Sequence, residues 1–399
     1  MFSRRQFIAH AGLSGGLVCL GNVSPPAWAK AAAAERAGGA GRMLVVVELD
    51  GGNDGLNTVV PYADDLYHRN RPTLRVAPKD VLKLDDHLGL HPSMTGLAKL
   101  WDKGRLRVVN NVGYPNPNRS HSRALEIWRS GKLPTEPTGW LGRVADKHPE
   151  LALCHVGDGA IPLAVRQRTG AAMSLGTFDD FRLRGDARIA ANGPAADDSP
   201  LAQIAARFDA AAALAERMNH KTSTHDSQPA SQSAKGAPPA KLAGHLAIVR
   251  ALMEQGDEFR VFYTSTSGFD THADQAYRHR QSLKEVSDAV AGFLEEIDTS
   301  GLGERVLVLV FSEFGRRLRE NGQHGTDHGA AAPVLLAGQA VKGGFLGGPP
   351  DLTNLDAGDV AYKIDYRDLY ASLLRQWLDI DPTSVLGPRD TSLKVVSWL

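Results

Sequence analysis

Continuous apolar runs alternate along the chain with stretches of helical periodicity. The apolar runs are MLVVVELD, LRVVNNV, LALCHVG, RVFYTSTS and RVLVLV. Runs of this kind are typical of a parallel sheet that is covered on both faces. Between them, PSMTGLAKLWDKG, LAGHLAIVRALMEQG and HRQSLKEVSDAVAGFLEEIDTSG have helical spacing and end at glycine, a common helix terminator. The pattern predicts a doubly wound α/β fold, with a mostly parallel central sheet and helices on both faces.

The first 29 residues do not fit this rhythm. Arg4 and Arg5 precede a short, weakly apolar run that ends in an AWA sequence, the pattern of a twin-arginine export signal with a small-residue cleavage site. The run is too poor for a transmembrane span of about 20 apolar residues. We therefore expect no transmembrane span and a periplasmic or extracytoplasmic protein that is exported folded. A basic N-terminal anchor that is never cleaved is the alternative.

The rest of the chain predicts a single domain. A linker over residues 30–42 precedes a domain over residues 43–399. This length suits one large α/β unit. Residues at about 185–240 are rich in Ala, Ser, Pro and Gln, which indicates a flexible insert.

Charge and cysteine content exclude some classes of partner and site. The formal net charge is +0, so nothing indicates the clustered basic excess of a nucleic-acid-binding protein, and we expect no nucleic acid partner. Once the signal is removed, Cys154 is the only cysteine. An intramolecular disulfide and a cysteine-based zinc site are thereby excluded.

Polar residues follow four of the predicted strands. In a doubly wound sheet, ligands bind at the carboxyl ends of the strands, where these residues would meet. Carboxylates gathered there would raise one another's pKa unless a cation neutralised them. Oxygen and imidazole ligands without thiolate suit zinc first, with calcium, magnesium or manganese as alternatives. Taken singly, each residue has another explanation, such as a turn or a helix cap. The residues are Asp50, Asn53, Asp54, Asn110, Asn111, Ser120, His121, Ser122, Asp270, His272, Glu313, Asp327 and His328.

Five segments carry a family resemblance. They are ELDGGNDGLNTVVP, NRSHSRALEIWRSG, FYTSTSGFDTHADQ, VFSEFGRRLRENGQHGTDHG and YRDLYASLLRQWL. In this order they resemble the bacterial family known as domain of unknown function 1501, which is similar to the alkaline-phosphatase-like superfamily of phosphatases, sulfatases and phosphomutases. The resemblance implies an alkaline-phosphatase-like α/β fold with a metal-assisted hydrolytic or transfer site.

The resemblance also implies a set of metal ligands. Asp50 resembles the first-strand metal carboxylate of the superfamily. Asp270 and His272 resemble the acid and the histidine of one metal site. Glu313 stands where the superfamily usually has an aspartate followed by a histidine, and His328 resembles the last histidine ligand.

The loop NRSHSR resembles the start of the nucleophile helix. Ser120 matches the hydroxyl nucleophile, with Ser122 as a substitute. His121 is close to the site and suits a general acid or base, since proton transfer requires only a positioned group of suitable pKa. Arg119 or Arg123 would contact the anion of the substrate.

Two positions depart from the superfamily pattern. Phe314 occupies the place of the histidine that should follow Glu313, and the spacing from Asp270 to His272 is shorter than usual. Both departures affect residues that would bind the two metal ions of the superfamily site. Asp327 is a further candidate, as a metal ligand or as a residue that orients one.

Two functions follow as expectations. The first is an exported metal-dependent hydrolase that acts on a phosphate or sulfate ester through a serine nucleophile, with a small anionic ester or glycan as substrate. The alternative is a non-catalytic, metal-stabilised envelope protein that binds a glycan, an anion or a protein partner, and an assembly accessory is a third reading.

Overall fold

The computed structural model describes residues 41–169, 172–176, 241–256 and 259–396. The predicted export signal, most of the predicted linker and the predicted insert at about 185–240 lie outside the described residues.

A nine-stranded sheet forms the centre of the described structure. Its strands are β1 Met43–Asp50, β5 Leu106–Gly113, β6 Ala152–Val156, β7 Met173–Leu175, β8 Phe259–Ser267, β9 Val306–Ser312, β12 Ala332–Ala337, β13 Gly344–Leu346 and β16 Ile364–Asp365. They follow the order β13-β5-β12-β9-β1-β8-β6-β7, and β16 also pairs with β5. Smaller sheets contain β2 Val59–Val60, β3 Leu82–Lys83, β4 Gly89–Leu90, β10 Arg316–Glu320, β11 Thr326–His328, β14 Leu355–Asp356 and β15 Asp359–Val360.

The central sheet is parallel except at β12. Strand β1 is parallel to both β8 and β9, and β8 is parallel to β6. Strand β12 is antiparallel to β5 and to β9, so β5 and β9 run in the same direction. The prediction of a mostly parallel sheet is confirmed. The carboxyl ends of β1, β5, β8 and β9 therefore lie at one edge of the sheet.

Helices cover both faces of the sheet, as the continuous apolar strands predict. The helices are α1 Gly55–Thr58, α2 Asp65–Asn70, α3 Thr95–Asp102, α4 His121–Ser130, α5 Trp140–Lys147, α6 Lys241–Gln255, α7 Gln275–Thr299, α8 Tyr366–Gln376 and α9 Thr383–Leu386, with 3-10 turns at Leu163–Val165 and Gly303–Arg305. Val45 and Val47 of β1 lie in a buried cluster with residues of α3, α6 and α7. Leu44 and Val46 point to the other face, into a cluster with residues of α4, α5 and α8.

The helices match the predicted segments, with shifted ends. Helix α7 begins at Gln275, four residues before the predicted segment, because the first turn is set by tertiary contacts: the Gln275 backbone N–H donates to the His324 carbonyl. None of the helices within the described ranges combines the length and apolar character that a membrane crossing needs.

Candidate metal-binding and catalytic site

Two glycines after β1 allow the strand exits to approach each other. Gly51 and Gly52 have positive φ angles of 122° and 67°. A Cβ atom on Gly51 would lie 2.4 Å from the backbone nitrogen of Asp270, in the loop after β8. Only glycine tolerates this conformation and this close contact. The GG pair is therefore what brings the loops after β1 and β8 together.

A buried arginine fixes these loops. Arg316, at the start of β10, has a fully buried side chain that donates to the carbonyls of Gly51, Gly52 and Thr326. Its Nη2 also donates to Asp270 Oδ1 at 2.7 Å. Sequence reasoning missed Arg316, because an arginine in RRLR has no pattern that distinguishes it from a solvated one.

Three histidines meet around one carboxylate oxygen. Asp270 Oδ1 lies 3.2 Å from His272 Nε2 and 3.5 Å from the Nε2 atoms of both His121 and His328. The Nε2 atoms of His272 and His328 are 2.8 Å apart. Within the described residues, His121, Asp270 and His328 form a group whose ligand atoms all lie within 4.8 Å of one another. We call Asp270, His272, His328 and His121 the edge cluster.

Each imidazole of the edge cluster has an acceptor at its other nitrogen. The Arg119 carbonyl lies 2.7 Å from His328 Nδ1, and a carbonyl only accepts, so that nitrogen is the protonated one. Glu313 Oε1 lies 2.8 Å from His121 Nδ1. Asp327 Oδ1 lies 3.4 Å from His272 Nδ1.

For His328 the contact with the Arg119 carbonyl fixes the position of the lone pair. With Nδ1 protonated, a neutral imidazole has its acceptor at Nε2. His272 Nε2 lies 2.8 Å from that atom, so a proton or a cation must lie between the two nitrogens. Acceptors behind ligating histidines are also the usual support of metal sites.

The donor set fits a divalent metal ion. With zinc–ligand bonds of about 2.0–2.1 Å, neighbouring ligand atoms in a tetrahedral site lie about 3.3 Å apart. The distances among Asp270 Oδ1 and the Nε2 atoms of His272 and His328 are 2.8–3.5 Å. His121 Nε2 is buried and lacks a hydrogen-bond partner among the described residues, so it too faces this point with an unused nitrogen.

The charges of the site shift several pKa values. The hydrogen bond that His121 donates to Glu313 raises the pKa of His121, against the effect of burial. Burial raises the pKa of Asp270, but the Arg316 guanidinium overcomes it and leaves that pKa below its ordinary value. Burial lowers the pKa of His328. Burial and then the charge of Glu313 raise the pKa of Asp50.

Two predicted metal ligands lie behind the imidazoles. Glu313 is fully buried: its Oε1 accepts from the Gly51 N–H and its Oε2 contacts the Ser312 hydroxyl. Asp327 is exposed, and its Oδ1 accepts from Asn321 Nδ2. Both residues contact Nδ1 atoms, so their position is that of residues that orient histidines.

Asp50 does not join the edge cluster. Its side chain is half-buried at the end of β1, and among the residues described its oxygens belong to no group of metal-ligand atoms. Asp50 is nevertheless close enough to Glu313 for that charge to raise its pKa, and its role as a ligand stays a prediction.

Ser120 lies in the sequence between Arg119, whose carbonyl contacts the edge cluster, and His121, which belongs to it. It occupies the N-cap position of α4, without a side-chain cap hydrogen bond. Its hydroxyl is exposed and 3.2 Å from that of Ser122. The preceding carbonyl, of Arg119, contacts His328, and the following residue is His121. The residue that carries the exposed hydroxyl is therefore flanked in the sequence by two residues that lie at the edge cluster.

The two candidate arginines are engaged in ion pairs. Arg119 Nε donates to Asp359 Oδ2 at 2.8 Å, and Asp359 is buried. Arg123 is paired with Glu126 and donates to the Thr135 hydroxyl. Neither guanidinium has a contact with the edge cluster in the described part of the chain.

Comparison with solved structures finds remote likenesses. The chain is similar to a protein in the alkaline phosphatase superfamily from Vibrio parahaemolyticus (11% identity over 88% of this chain and 69% of that chain, TM-score 0.44). It is similar to the C-terminal periplasmic domain of EcEptC from Escherichia coli, in complex with Zn (13% identity, 90% and 93% covered, TM-score 0.38). It is also similar to the phosphonate monoester hydrolase SpPMH from Silicibacter pomeroyi (10% identity, 88% and 75% covered, TM-score 0.38). The fold class rests on the sheet and helices themselves.

Sequence comparison is more specific. The search of curated proteins gave no match. Residues 163–395 match the model of a family described as protein of unknown function (DUF1501). The matched range includes Asp270, His272, Glu313 and His328, whereas Asp50 and Ser120 precede it. Because the match covers more than half of the 399 residues, the chain belongs to this protein family of unknown function.

Proposed function

We propose that the protein is an exported hydrolase that uses a divalent metal ion, zinc first, to cleave a phosphate or sulfate ester. The observation that carries the proposal is the convergence of imidazole Nε2 atoms on Asp270 Oδ1, with an acceptor behind each ring. This arrangement lies at the carboxyl edge of the sheet, where α/β folds bind their ligands.

Asp270, His272 and His328 would hold the ion. Three protein ligands leave a coordination position open, which distinguishes catalytic zinc sites from structural ones. A bound divalent ion would supply a Lewis acid for an anionic ester oxygen. Arg316 would keep Asp270 ionised and in place, since its guanidinium contacts that carboxylate from a fully buried position.

Ser120 would act as the nucleophile. Its oxygen would form a bond to phosphorus or sulfur while the bond from that atom to the alcohol oxygen breaks. The N-terminus of α4 presents first-turn N–H groups that have no intrahelical acceptor and can receive the anion. Water would then cleave the serine ester and release phosphate or sulfate.

His121 would move the proton. Its Nδ1 is held by the buried Glu313, so Nε2 is the nitrogen that would take the proton from the Ser120 hydroxyl and then give it to the leaving alcohol oxygen. Proton transfer of this kind typically contributes 10²–10⁴-fold to a rate. In this scheme Arg119 or Arg123 binds the substrate anion only after leaving Asp359 or Glu126.

Export would place this reaction in the periplasm. The twin arginines Arg4 and Arg5 and the AWA sequence support a cleavable signal. Since twin-arginine export moves folded proteins, the metal site would be complete before export.

The test is turnover by the natively exported protein. We expect one bound metal by elemental analysis and hydrolysis of an aryl phosphate or an aryl sulfate. Ser120→Ala should abolish turnover, with Ser122→Ala as the matched control that retains it. Undiminished turnover in Ser120→Ala would remove Ser120 from this role, and wild-type protein without metal would refute the proposal.

A non-catalytic role is the second candidate, because both candidate arginines are already paired and Phe314 replaces an expected histidine. In that case the metal would stabilise an envelope protein that binds a glycan, an anion or a protein partner. Metal in the purified protein, together with no turnover across a broad panel of esters, would favour this candidate.

A further inference from the structure

A phenyl ring supports two imidazoles of the edge cluster from behind. Phe314 follows Glu313 directly after β9 and is buried. Its ring centroid lies 4.9 Å from that of His121 and 4.9 Å from that of His328, with interplanar angles of 36° and 37°. The two imidazole planes are themselves 72° apart. The interplanar angles of 36° and 37° add up to nearly 72°, so the phenyl plane lies between the two imidazole planes.

The phenyl ring is itself held in place. A Cβ atom on Gly52 would lie 2.1 Å from Phe314 Cε2, so the backbone of Gly52 packs directly against the ring. Gly52 has a φ of 67°, and its carbonyl accepts from the buried Arg316. The ring therefore cannot withdraw from the imidazoles without displacing a fixed loop.

The side of the site that contains Phe314 offers few atoms to a second ion. Glu313 Oε1 is occupied by His121 and by the Gly51 N–H, and its Oε2 contacts Ser312. Asp50 lies outside the group of ligand atoms found in the described residues. A phenyl ring supplies no lone pair, and it occupies the space beside the His121 and His328 rings.

We infer that Phe314 is a positioning residue that aligns His121 and His328 and restricts the site to one divalent ion per chain. The inference rests on the proposed metal site. Ring orientation matters because His328 must point its lone pair at the ion and His121 must point its Nε2 at the reacting oxygens, and groups that orient ligands typically change metal affinity 10–100-fold. Gly52 contributes to the same positioning, because a larger residue at this position would push the phenyl ring into the imidazoles.

The experiment compares Phe314→Leu with Phe311→Leu. Phe311 is an equally buried phenylalanine at the end of β9, but its ring stacks on Trp128 on another face of the sheet. Zinc affinity is measured by chelator competition, stoichiometry by elemental analysis, and ligand geometry by the visible spectrum of the cobalt(II)-substituted protein. We expect Phe314→Leu to weaken zinc binding about 10–100-fold and to change the cobalt spectrum. Phe311→Leu should bind as the wild type does.

The outcomes separate this inference from the proposed function. Unchanged zinc affinity and cobalt spectrum in Phe314→Leu would overturn it, whether or not the protein hydrolyses esters. Two zinc ions bound per wild-type chain would also overturn it, and this measurement does not depend on the folding of any variant. Absence of turnover with metal binding as expected would refute only the hydrolase.

Discussion

Two groups of polar residues lie at the same edge of the sheet, and they differ in burial and in whether their hydrogen bonds are complete. One is the edge cluster around Asp270. The other surrounds Asp54, four residues beyond the end of β1, and we call Asp54, Arg71, Asn57, Gln275 and Tyr67 the clamp. Both contain a carboxylate that follows a predicted strand, Asp270 in one and Asp54 in the other.

In the clamp, every charge has a partner. Arg71 Nη1 donates to Asp54 Oδ2 at 2.5 Å and Nη2 donates to Oδ1 at 3.0 Å, and both side chains are fully buried. Gln275 donates a further hydrogen bond to Asp54. Arg71 also donates to Asn57, which accepts from the Tyr67 hydroxyl. Burial raises the pKa of Asp54, but Arg71 overcomes this effect and keeps it low.

In the edge cluster, the hydrogen bonds are incomplete where the groups meet. The Asp270 side chain is 49% exposed, the Nε2 atoms of His272 and His328 face each other, and His121 Nε2 lacks a partner within the described ranges. Unsatisfied groups of this kind are explained by ion binding or by a catalytic role. The comparison indicates that the clamp holds the fold together and the edge cluster is arranged for a ligand.

The largest expected effect is loss of stability when the clamp is broken. Arg71→Met leaves the Asp54 carboxylate buried without its cation, and breaking a buried pair in this way typically costs about 3–5 kcal/mol. Denaturant unfolding measures the change in the free energy of unfolding. The double variant Asp54→Asn with Arg71→Met is the control and should recover part of the loss. A cost below about 1 kcal/mol for Arg71→Met would contradict the role of the clamp.

The next effect is the reverse, a loss of metal affinity with little loss of stability. Asp270→Asn keeps an oxygen that accepts from Arg316 but removes the ligand charge. We expect zinc affinity to fall more than about 100-fold, since the charged ligand itself is lost. The free energy of unfolding of the metal-free protein should fall by less than in Arg71→Met, because Arg316 keeps its carbonyl acceptors and the Asp270 carboxylate is half exposed. Equal losses of stability in Asp270→Asn and Arg71→Met would abolish the distinction.

Strand periodicity was enough to predict the sheet, because its strands are buried on both faces and are apolar throughout. The antiparallel strand β12 was not predictable, since APVLLA is as apolar as a parallel strand. The expectation that Asp270, His272 and His328 meet at one edge followed from the parallel direction of the strands together with the family resemblance. The separation of Asp54 from the edge cluster did not, because it depends on Arg71, a distant residue with no sequence pattern that indicates burial.

Acid should weaken the region next to the clamp. His279 is buried, its Nε2 contacts Asn53 Oδ1, and burial lowers its pKa to about 3. Asp54 opposes this shift, whereas His91, Arg71 and Arg316 add to it. The unfolded chain takes up a proton near pH 6.5 and the folded chain does not, so stability is complete above pH 6.5 and falls as the pH drops towards about 3.

The size of this effect can be measured against a variant that does not titrate. From pH 6.5 to pH 5 the loss is about 2 kcal/mol, at about 1.4 kcal/mol per pH unit. Unfolding free energies of the wild type and of His279→Gln, measured in chelator at both pH values, should differ in slope by this amount. The same slope in both proteins would show that His279 takes up its proton in the folded state as well.

The smallest effect concerns the most exposed member of the site. Asp327 lies 3.4 Å from His272 Nδ1, but its side chain is 59% exposed and water can replace its hydrogen bond. Asp327→Asn retains an acceptor for Asn321 and loses the charge, so we expect zinc affinity to fall by no more than about tenfold. Glu313→Gln is the buried counterpart behind His121, and its effect on the rate of ester hydrolysis should exceed that of Asp327→Asn, because solvent cannot substitute for the Glu313 carboxylate. A loss of zinc affinity above about 100-fold in Asp327→Asn would instead make Asp327 a ligand, and the edge cluster would then include the exposed side of β11.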